Sequence, residues 1–101
     1  MRVLVFFDLP TLSAEERRNY TRFRKHLIKS GFVMLQESVY YKIALNQTGV
    51  NSIMDNLRKN KPANGLVQIM SVTEKQFAKS EMLIGENKSE VINDDRRLVI
   101  L

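Results

Sequence analysis

Asp8 is the first residue whose type and position could serve chemistry. It follows an apolar run of β-branched and aromatic residues at 3–7 and stands two residues before Pro10. Such a run is typical of a strand buried on both faces, so a carboxylate at its C-terminal end would be held rigidly. It could bind a hard cation such as Mg²⁺, and two copies facing each other across a twofold axis could share one ion. Alternatively, Asp8 accepts hydrogen bonds from turn or helix-start amides.

A row of cations is the second candidate. The row recurs at spacings of four, three and four residues and consists of Arg18, Arg22, Lys25 and Lys29. This spacing places the side chains on one face of a helix, and residues 13–30 hold six Lys and Arg against two Glu. The pattern suits a phosphate backbone, although a solvated helix face has the same pattern. Arg17, beside the apolar stripe of the helix, is a fifth candidate for nucleic-acid contact.

Composition excludes several other kinds of site. The chain has no Cys and one His, which rules out disulfide scaffolds, thiolate zinc sites and histidine-rich metal cages. We interpret His26 as structural, since no Asp or Ser stands at a telling spacing from it. Strand alternation places one of Tyr40 and Tyr41 inward, so at most one could stack on a base. Glycine-rich phosphate loops and zinc-protease or serine-hydrolase motifs are absent from the sequence.

Secondary structure must position these candidates. Ser13 and Glu16 form a capping-box pattern that starts the first helix, and Gly31 supplies its end. The predicted elements are a strand at 3–7, a helix at 14–30, two strands or one bent strand within 32–45, a helix after Asn46 or Thr48, a strand at Leu66–Val72, a helical turn at 73–79 and a short strand at 82–84. The order predicts an α+β, ferredoxin-like βαββαβ fold with two helices on one face of an antiparallel sheet. A second copy is the simplest cover for the other face.

The C-terminal part indicates how a second copy could be engaged. Residues 85–95 are mostly polar and acidic, which predicts a mobile loop. The apolar end at 96–101 is either an edge strand of its own subunit or, as we prefer, a strand added to the partner subunit's sheet. The predicted dimer-interface residues are Arg97, Leu98, Val99, Ile100 and Leu101.

Length and composition restrict the class of protein. The chain has 101 residues, 44% of them hydrophobic, and a formal net charge of +5, which fits one folded domain over 1–101. Its basic character favours an anionic partner such as nucleic acid. Because the sequence has no apolar run long enough to span a membrane and no signal-peptide pattern, we expect a soluble cytoplasmic protein.

An ordered set of short motifs runs through the chain. The motifs are VLVFFDLP at 3–10, Arg17-Arg18, Phe23-Arg24, Gly31-Phe32-x-x-Leu35-Gln36-x-Ser38-Val39-Tyr40 and VTEKQF at 72–77. Together they resemble the small CRISPR-associated adaptation protein family, the ferredoxin-like partners of the CRISPR integrase that are also described as metal-dependent endoribonucleases. The similarity covers essentially the whole chain and is greatest to members from type II-A systems, which use a single large RNA-guided effector nuclease.

The resemblance implies a homodimer in which the C-terminal strand crosses to the other subunit's sheet. It implies that Asp8 is the Mg²⁺ ligand at the dimer axis, and that metal-activated water hydrolyses phosphodiester bonds of RNA or DNA. It also implies that the dimer bridges two integrase dimers and holds the double-stranded DNA of the spacer precursor along its basic surface.

Two positions depart from the family pattern. Met34 stands where nuclease-active relatives often carry an arginine, and Tyr40 stands where the family has phenylalanine. A missing cation near the scissile phosphate would weaken stabilisation of the transition state. We therefore expect weak or absent intrinsic nuclease activity, with the scaffold role retained.

Two alternative functions are compatible with the same residues. One is a free-standing, toxin-like endoribonuclease, which would need turnover without any integrase. The other is a non-catalytic ferredoxin-like RNA-binding protein, which would need exposed aromatic side chains on its sheet face.

Overall fold

The structure, a computed structural model, describes residues 1–85. Its elements are β1 (Arg2–Asp8), α1 (Ala14–Lys29), β2 (Val33–Gln36), β3 (Val39–Ile43), α2 (Gln47–Lys59), β4 (Leu66–Val72) and α3 (Glu74–Ala78). This order confirms the predicted ferredoxin-like succession of strands and helices. None of the helices in the described part of the chain is long and apolar enough to cross a membrane.

Strand β1 lies inside a four-stranded antiparallel sheet with the order β2-β3-β1-β4. Val5 pairs with Tyr40 of β3 on one side and with Ile69 of β4 on the other. Val3, Leu4 and Val5 are all buried, although successive side chains point to opposite faces. Both faces of β1 are therefore covered at these positions, which explains its apolar run and confirms the predicted central strand.

The predicted caps position the helices. Ser13 Oγ accepts a hydrogen bond from the Glu16 amide at 3.0 Å, and Glu16 Oε1 accepts one from the Ser13 amide at 2.9 Å. Gly31 follows α1 with a φ of 95°, a left-handed conformation that glycine adopts without a Cβ clash. Asn46, rather than Thr48, caps α2 through a hydrogen bond from a first-turn amide to its Oδ1 at 2.9 Å.

The main core lies between the sheet and helices α1 and α2. Phe7 packs edge-on against Phe23 with 5.3 Å between ring centroids and stacks on Tyr40 at 5.7 Å. The buried cluster consists of Val3, Val5, Phe7, Leu9, Phe23, Leu27, Phe32, Tyr40, Ala44, Val50 and Leu57. Tyr40 is 2% exposed, so it is the inward member of the tyrosine pair. Its hydroxyl accepts a hydrogen bond from Arg24 Nε at 3.0 Å, which satisfies the polar atom at the edge of the core.

The other face of the sheet, here called the open face, carries helix α3 at one end. The Phe77 ring of α3 lies 5.9 Å from the ring of Tyr41, and the Arg2 guanidinium stands 4.0 Å from the centroid of Phe77. Arg2 Nε also donates to both carboxylate oxygens of Glu74 at 3.0 Å. A cation–π contact and an ion pair therefore hold α3 against the sheet.

One predicted element is wrong. Residues 82–84 do not form a strand, and the side chains of Met82, Leu83 and Ile84 are 66%, 88% and 96% exposed. A short apolar segment becomes a strand only where a neighbouring strand offers hydrogen-bond partners. Within residues 1–85 the sheet has four strands, and this segment pairs with none of them.

Two C-terminal predictions fall almost wholly beyond these residues. The predicted acidic loop at 85–95 has only Gly85 in the described part, and the predicted strand at 96–101 lies outside it. The strand exchange and the interface residues 97–101 thus remain predictions.

Candidate functional site

Asp8 is the last residue of the central strand and faces away from the two long helices. Phe7 belongs to the helix-side core, so strand alternation places Phe6 and Asp8 on the open face. Asp8 is exposed and pairs with Leu66, the first residue of β4. Gly65, the residue before β4, allows the chain to pass close to the end of β1. It has a φ of 96°, and a Cβ at this position would stand 2.6 Å from Leu9 Cδ2. The carboxylate is consequently presented from a rigid strand end.

A small recess of about 170 Å³ opens beside Asp8. Its polar lining includes Ser38, at the β2–β3 turn, and Gln68 of β4, which pairs with Phe6 and so shares the open face with Asp8. Gln68 is not among the residues predicted from the sequence, because only the register of β1 with β4 brings it near the carboxylate. The signal that could have found it is its place in the alternation of β4.

In the structure, the helix-start amides donate to Glu16 and not to Asp8. The Leu12 and Ser13 amides donate to Glu16 Oε1 at 3.0 and 2.9 Å, so the capping box satisfies them. The carboxylates that form ion pairs within residues 1–85 are those of Glu74 and Asp55. Asp8 is thus available to a ligand as far as the described residues are concerned.

The donor set around Asp8 is hard but incomplete in one chain. Carboxylate, amide and hydroxyl oxygens of Asp8, Gln68 and Ser38 are the ligand types that Mg²⁺ accepts, and this ion keeps several waters. Residues 1–85 contain no group of three or more His, Cys, Asp or Glu side chains that could hold a metal ion. The residues therefore fit a divalent cation if a second Asp8 completes the site.

Position 34 does not share a face with Asp8. Met34 pairs with Tyr40, whose side chain packs toward the helices, whereas Asp8 stands on the open face. Within one chain, an arginine at position 34 would start from the opposite side of the sheet. Within a single subunit, the geometry therefore does not support the expectation that Met34 removes a cation from beside the scissile phosphate.

The predicted cationic row stands on the outer surface of α1. All its members are exposed, while Phe23 and Leu27 are buried on the opposite side of the helix; the row consists of Arg18, Arg22, Lys25 and Lys29. Arg17 differs from them, because its Nη1 donates to the carbonyls of Thr11 and Leu12 at 3.2 and 3.0 Å. Arg17 thus braces the loop between β1 and α1.

His26 connects the two long helices. Its Nε2 lies 3.0 Å from Asn56 Oδ1 of α2 and 3.5 Å from Oγ of Ser30, the C-cap residue of α1. These hydrogen bonds support the structural role expected for His26.

The sequence profile of the family described as "CRISPR associated protein Cas2" matches residues 1–80, which is most of the chain. The chain belongs to the Cas2 family. A protein of Treponema denticola is 58% identical over 101 residues, covering all of both chains. A relative from Streptococcus mutans is 45% identical, and the match covers 100% of this chain and 93% of the relative. A relative from Acidovorax ebreus is 46% identical, and the match covers 84% of this chain and 83% of the relative. All three are named "CRISPR-associated endoribonuclease Cas2".

The Cas2 match confirms the resemblance read from the motifs. The profile covers Asp8, its recess and the whole of α1, so both candidate surfaces belong to the part shared with the family. The Treponema relative also aligns over the last 21 residues, which include the predicted interface strand.

Proposed function

We propose that this chain is a homodimeric scaffold of CRISPR spacer acquisition that binds duplex DNA and bridges integrase dimers. We further propose that it carries Mg²⁺-dependent phosphodiester hydrolysis at Asp8. The observation that carries the proposal is that the two sides of the molecule expose chemically different surfaces. The outer surface of the helix layer presents the cationic row, whereas the open face presents apolar side chains with Asp8 at its end.

The open face supports the dimer. Val33, Ile43, Leu66 and Met70 lie on this face by register and are between 46% and 57% exposed. Val33 and Ile43 lie on one side of β1, and Leu66 and Met70 lie on β4 on its other side. Large apolar side chains left half-exposed on both sides of one sheet face support a surface that another protein covers. A second copy placed face to face would bury them, and the strand predicted at 96–101 would extend the partner's sheet.

The same packing would complete the site at Asp8. Two strand ends related by a twofold axis would bring two Asp8 carboxylates toward one position, and Gln68 would stand beside each. Mg²⁺, when bound, would activate water and stabilise charge on the phosphodiester. The residues of the chain would position that ion from rigid strand ends. The Gln68 side chain could accept a hydrogen bond from the attacking water through its amide oxygen, or donate one to the phosphate through its NH₂ group.

The cationic row supports the duplex. Arg18 and Lys29 are eleven residues apart, which corresponds to about 16 Å along a helix, enough to follow several phosphates of one strand. Contacts of this kind would position the dimer on DNA without reading its sequence. A subunit pair would offer one row on each side.

The structure gives little support to the RNA-binding alternative. All eight aromatic side chains are buried or half-buried, and Tyr41 of the open face is packed by Phe77 and Arg2. A base-stacking platform needs aromatic rings open to solvent. The experiment below distinguishes the scaffold function from the alternative of a free-standing endoribonuclease.

Two variants test the two halves of the proposal. Asp8→Asn should abolish Mg²⁺-dependent cleavage while duplex binding and spacer integration with the integrase are retained. Arg18→Glu should weaken duplex binding and integration while the dimer remains, as measured by sedimentation; Lys75→Glu on α3 is the matched control. If Asp8→Asn still cleaves, the hydrolytic half fails. If Arg18→Glu supports integration as well as wild type, the scaffold half fails, and RNA cleavage without integrase would then favour the toxin-like alternative.

A further inference from the structure

A second recess lies between α1 and the loop that joins α2 to β4, on the helix side of the molecule. Its volume is about 370 Å³, within the range of pockets that hold small ligands. The loop contributes Asn60 and Lys61, α1 contributes Asn19, Arg22 and His26, and the side of Phe23 lines it as an apolar element. No sequence pattern connects these residues, since Lys61 is far from α1 along the chain.

The lining has cationic and amide groups and no acidic residue. Arg22 Nη1 donates to Asn19 Oδ1 at 3.2 Å, which holds the guanidinium against the wall of the recess. This bond uses one of the five N–H donors of Arg22. Neither Arg22 nor Lys61 forms an ion pair with a residue in the 1–85 range, where the pairs involve Met1, Arg2 and Arg58. Two cationic side chains with unused donors therefore line one recess.

The remaining polar groups brace the recess. His26 is bonded to Asn56, and Asn60 Nδ2 donates to the Asn56 carbonyl at 2.8 Å. Asn56 of α2 thus ties the α1 side of the recess to the loop that carries Lys61. The two cations are presented from elements that are connected to each other, which limits the reorganisation needed when a ligand binds.

We propose that this recess, here called the Arg22–Lys61 cleft, binds a phosphate group of a nucleic-acid backbone. A planar guanidinium offers two parallel N–H donors to a phosphate, and a lysine adds a point charge. The cleft rests on the proposed DNA-binding function and deepens it. Because Arg22 belongs to both the cationic row and the cleft, the path of the backbone turns from α1 toward the α2–β4 loop instead of following α1 alone.

Neutralising Lys61 is the decisive change, and Lys59 supplies a matched control. Both lysines are exposed and lie two residues apart, but only Lys61 lines the cleft. Lys61→Gln should lower duplex affinity and reduce the slope of log K against log salt by about 0.9 per cleft, hence about 1.8 per dimer. Lys59→Gln should leave the slope unchanged. Melting temperatures of both variants check that the fold is intact.

A third variant separates this inference from the function on which it rests. Arg18→Gln removes a cation of the row that does not line the cleft. If Arg18→Gln weakens duplex binding while Lys61→Gln behaves like Lys59→Gln, the cleft proposal is overturned and the DNA-binding function stands. If neither variant changes duplex binding, both are overturned.

Titrations with different phosphate compounds distinguish binding of a backbone phosphate from binding of a free nucleotide or inorganic phosphate. Shifts of the Asn60 side-chain amide resonance would be followed while a short DNA duplex, AMP or inorganic phosphate is added. The proposal expects a shift with duplex that Lys61→Gln removes, and a weak shift with inorganic phosphate. A shift with AMP alone, with duplex binding independent of Lys61, would identify a free-nucleotide site and overturn the assignment to the backbone.

Discussion

Neutralising two cations of the row on α1 gives the sharpest test of how this protein would bind DNA. Arg18→Gln combined with Lys25→Gln removes two exposed charges that stand about two turns apart on one helix face. Neither side chain forms an ion pair or a side-chain hydrogen bond with another residue in the 1–85 range, so folding should be unaffected. Any loss of binding would then report on phosphate contacts.

The size of the effect follows from counterion release. A row of four cations in each subunit of a dimer neutralises at most about eight phosphates, which gives a slope of log K against log salt near −7. The double variant removes about four of those contacts and leaves a slope near −3.6. Between 50 and 200 mM salt, wild-type affinity would thus fall by up to about 10⁴-fold, and that of the variant by about 150-fold.

Fluorescence anisotropy with a short duplex across a salt series measures both slopes. Lys75→Gln with Lys79→Gln is the matched control, because it makes the same charge change on α3 and at its C-cap, on the opposite side of the sheet from α1. The melting temperature should move by no more than about 3 °C in either variant. An unchanged slope in the row variant, or an equal reduction in the control, would refute a phosphate path along α1.

Three further predictions concern the elements that position the site. Arg24→Ala should lower the free energy of unfolding by about 1–2 kcal/mol in urea titrations, because it leaves the Tyr40 hydroxyl without its donor; adding Tyr40→Phe should recover part of that loss, and purely additive costs would contradict it. Glu74→Gln should speed amide hydrogen exchange in α3 while global stability changes by less than about 1 kcal/mol, and unchanged exchange would mean that the ion pair does not hold the helix. Leu27→Ala should cost about 3 kcal/mol since Leu27 is 0% exposed, whereas Ile28→Ala on the exposed side should cost far less; similar costs would contradict the packing.

The local elements could be predicted because their signals are local. The capping box at Ser13 and Glu16 and the glycine after α1 act within one turn, so spacing alone locates them. The apolar run of β1 likewise predicted a central strand with buried side chains on both faces; β1 lies between β3 and β4, and Val3, Leu4 and Val5 are buried. The prediction of a strand at 82–84 was wrong because three apolar residues do not form a strand on their own. They need a neighbouring strand with free backbone groups.

Alternation in β3 identified two different faces but not which one the helices cover. Tyr40 and Tyr41 are neighbours of one residue type, yet Tyr40 packs on Phe7 inside the core and Tyr41 packs on Phe77 of the open face. A period of two distinguishes the sides of a strand, whereas the choice of the buried side depends on where α1 and α2 pack. That choice is a property of the assembled layers.

The positions of Asp8 and the cationic row can be read from the chain alone, since a carboxylate after an apolar run and a helical repeat of cations are both short-range patterns. The tertiary fold is needed to bring Gln68 into the recess of Asp8 and Lys61 into the cleft of Arg22. The first juxtaposition depends on the register of β1 with β4, and the second on the packing of α1 beside the α2–β4 loop. Register and helix packing arise from contacts between residues far apart along the chain, and no window of sequence contains both partners.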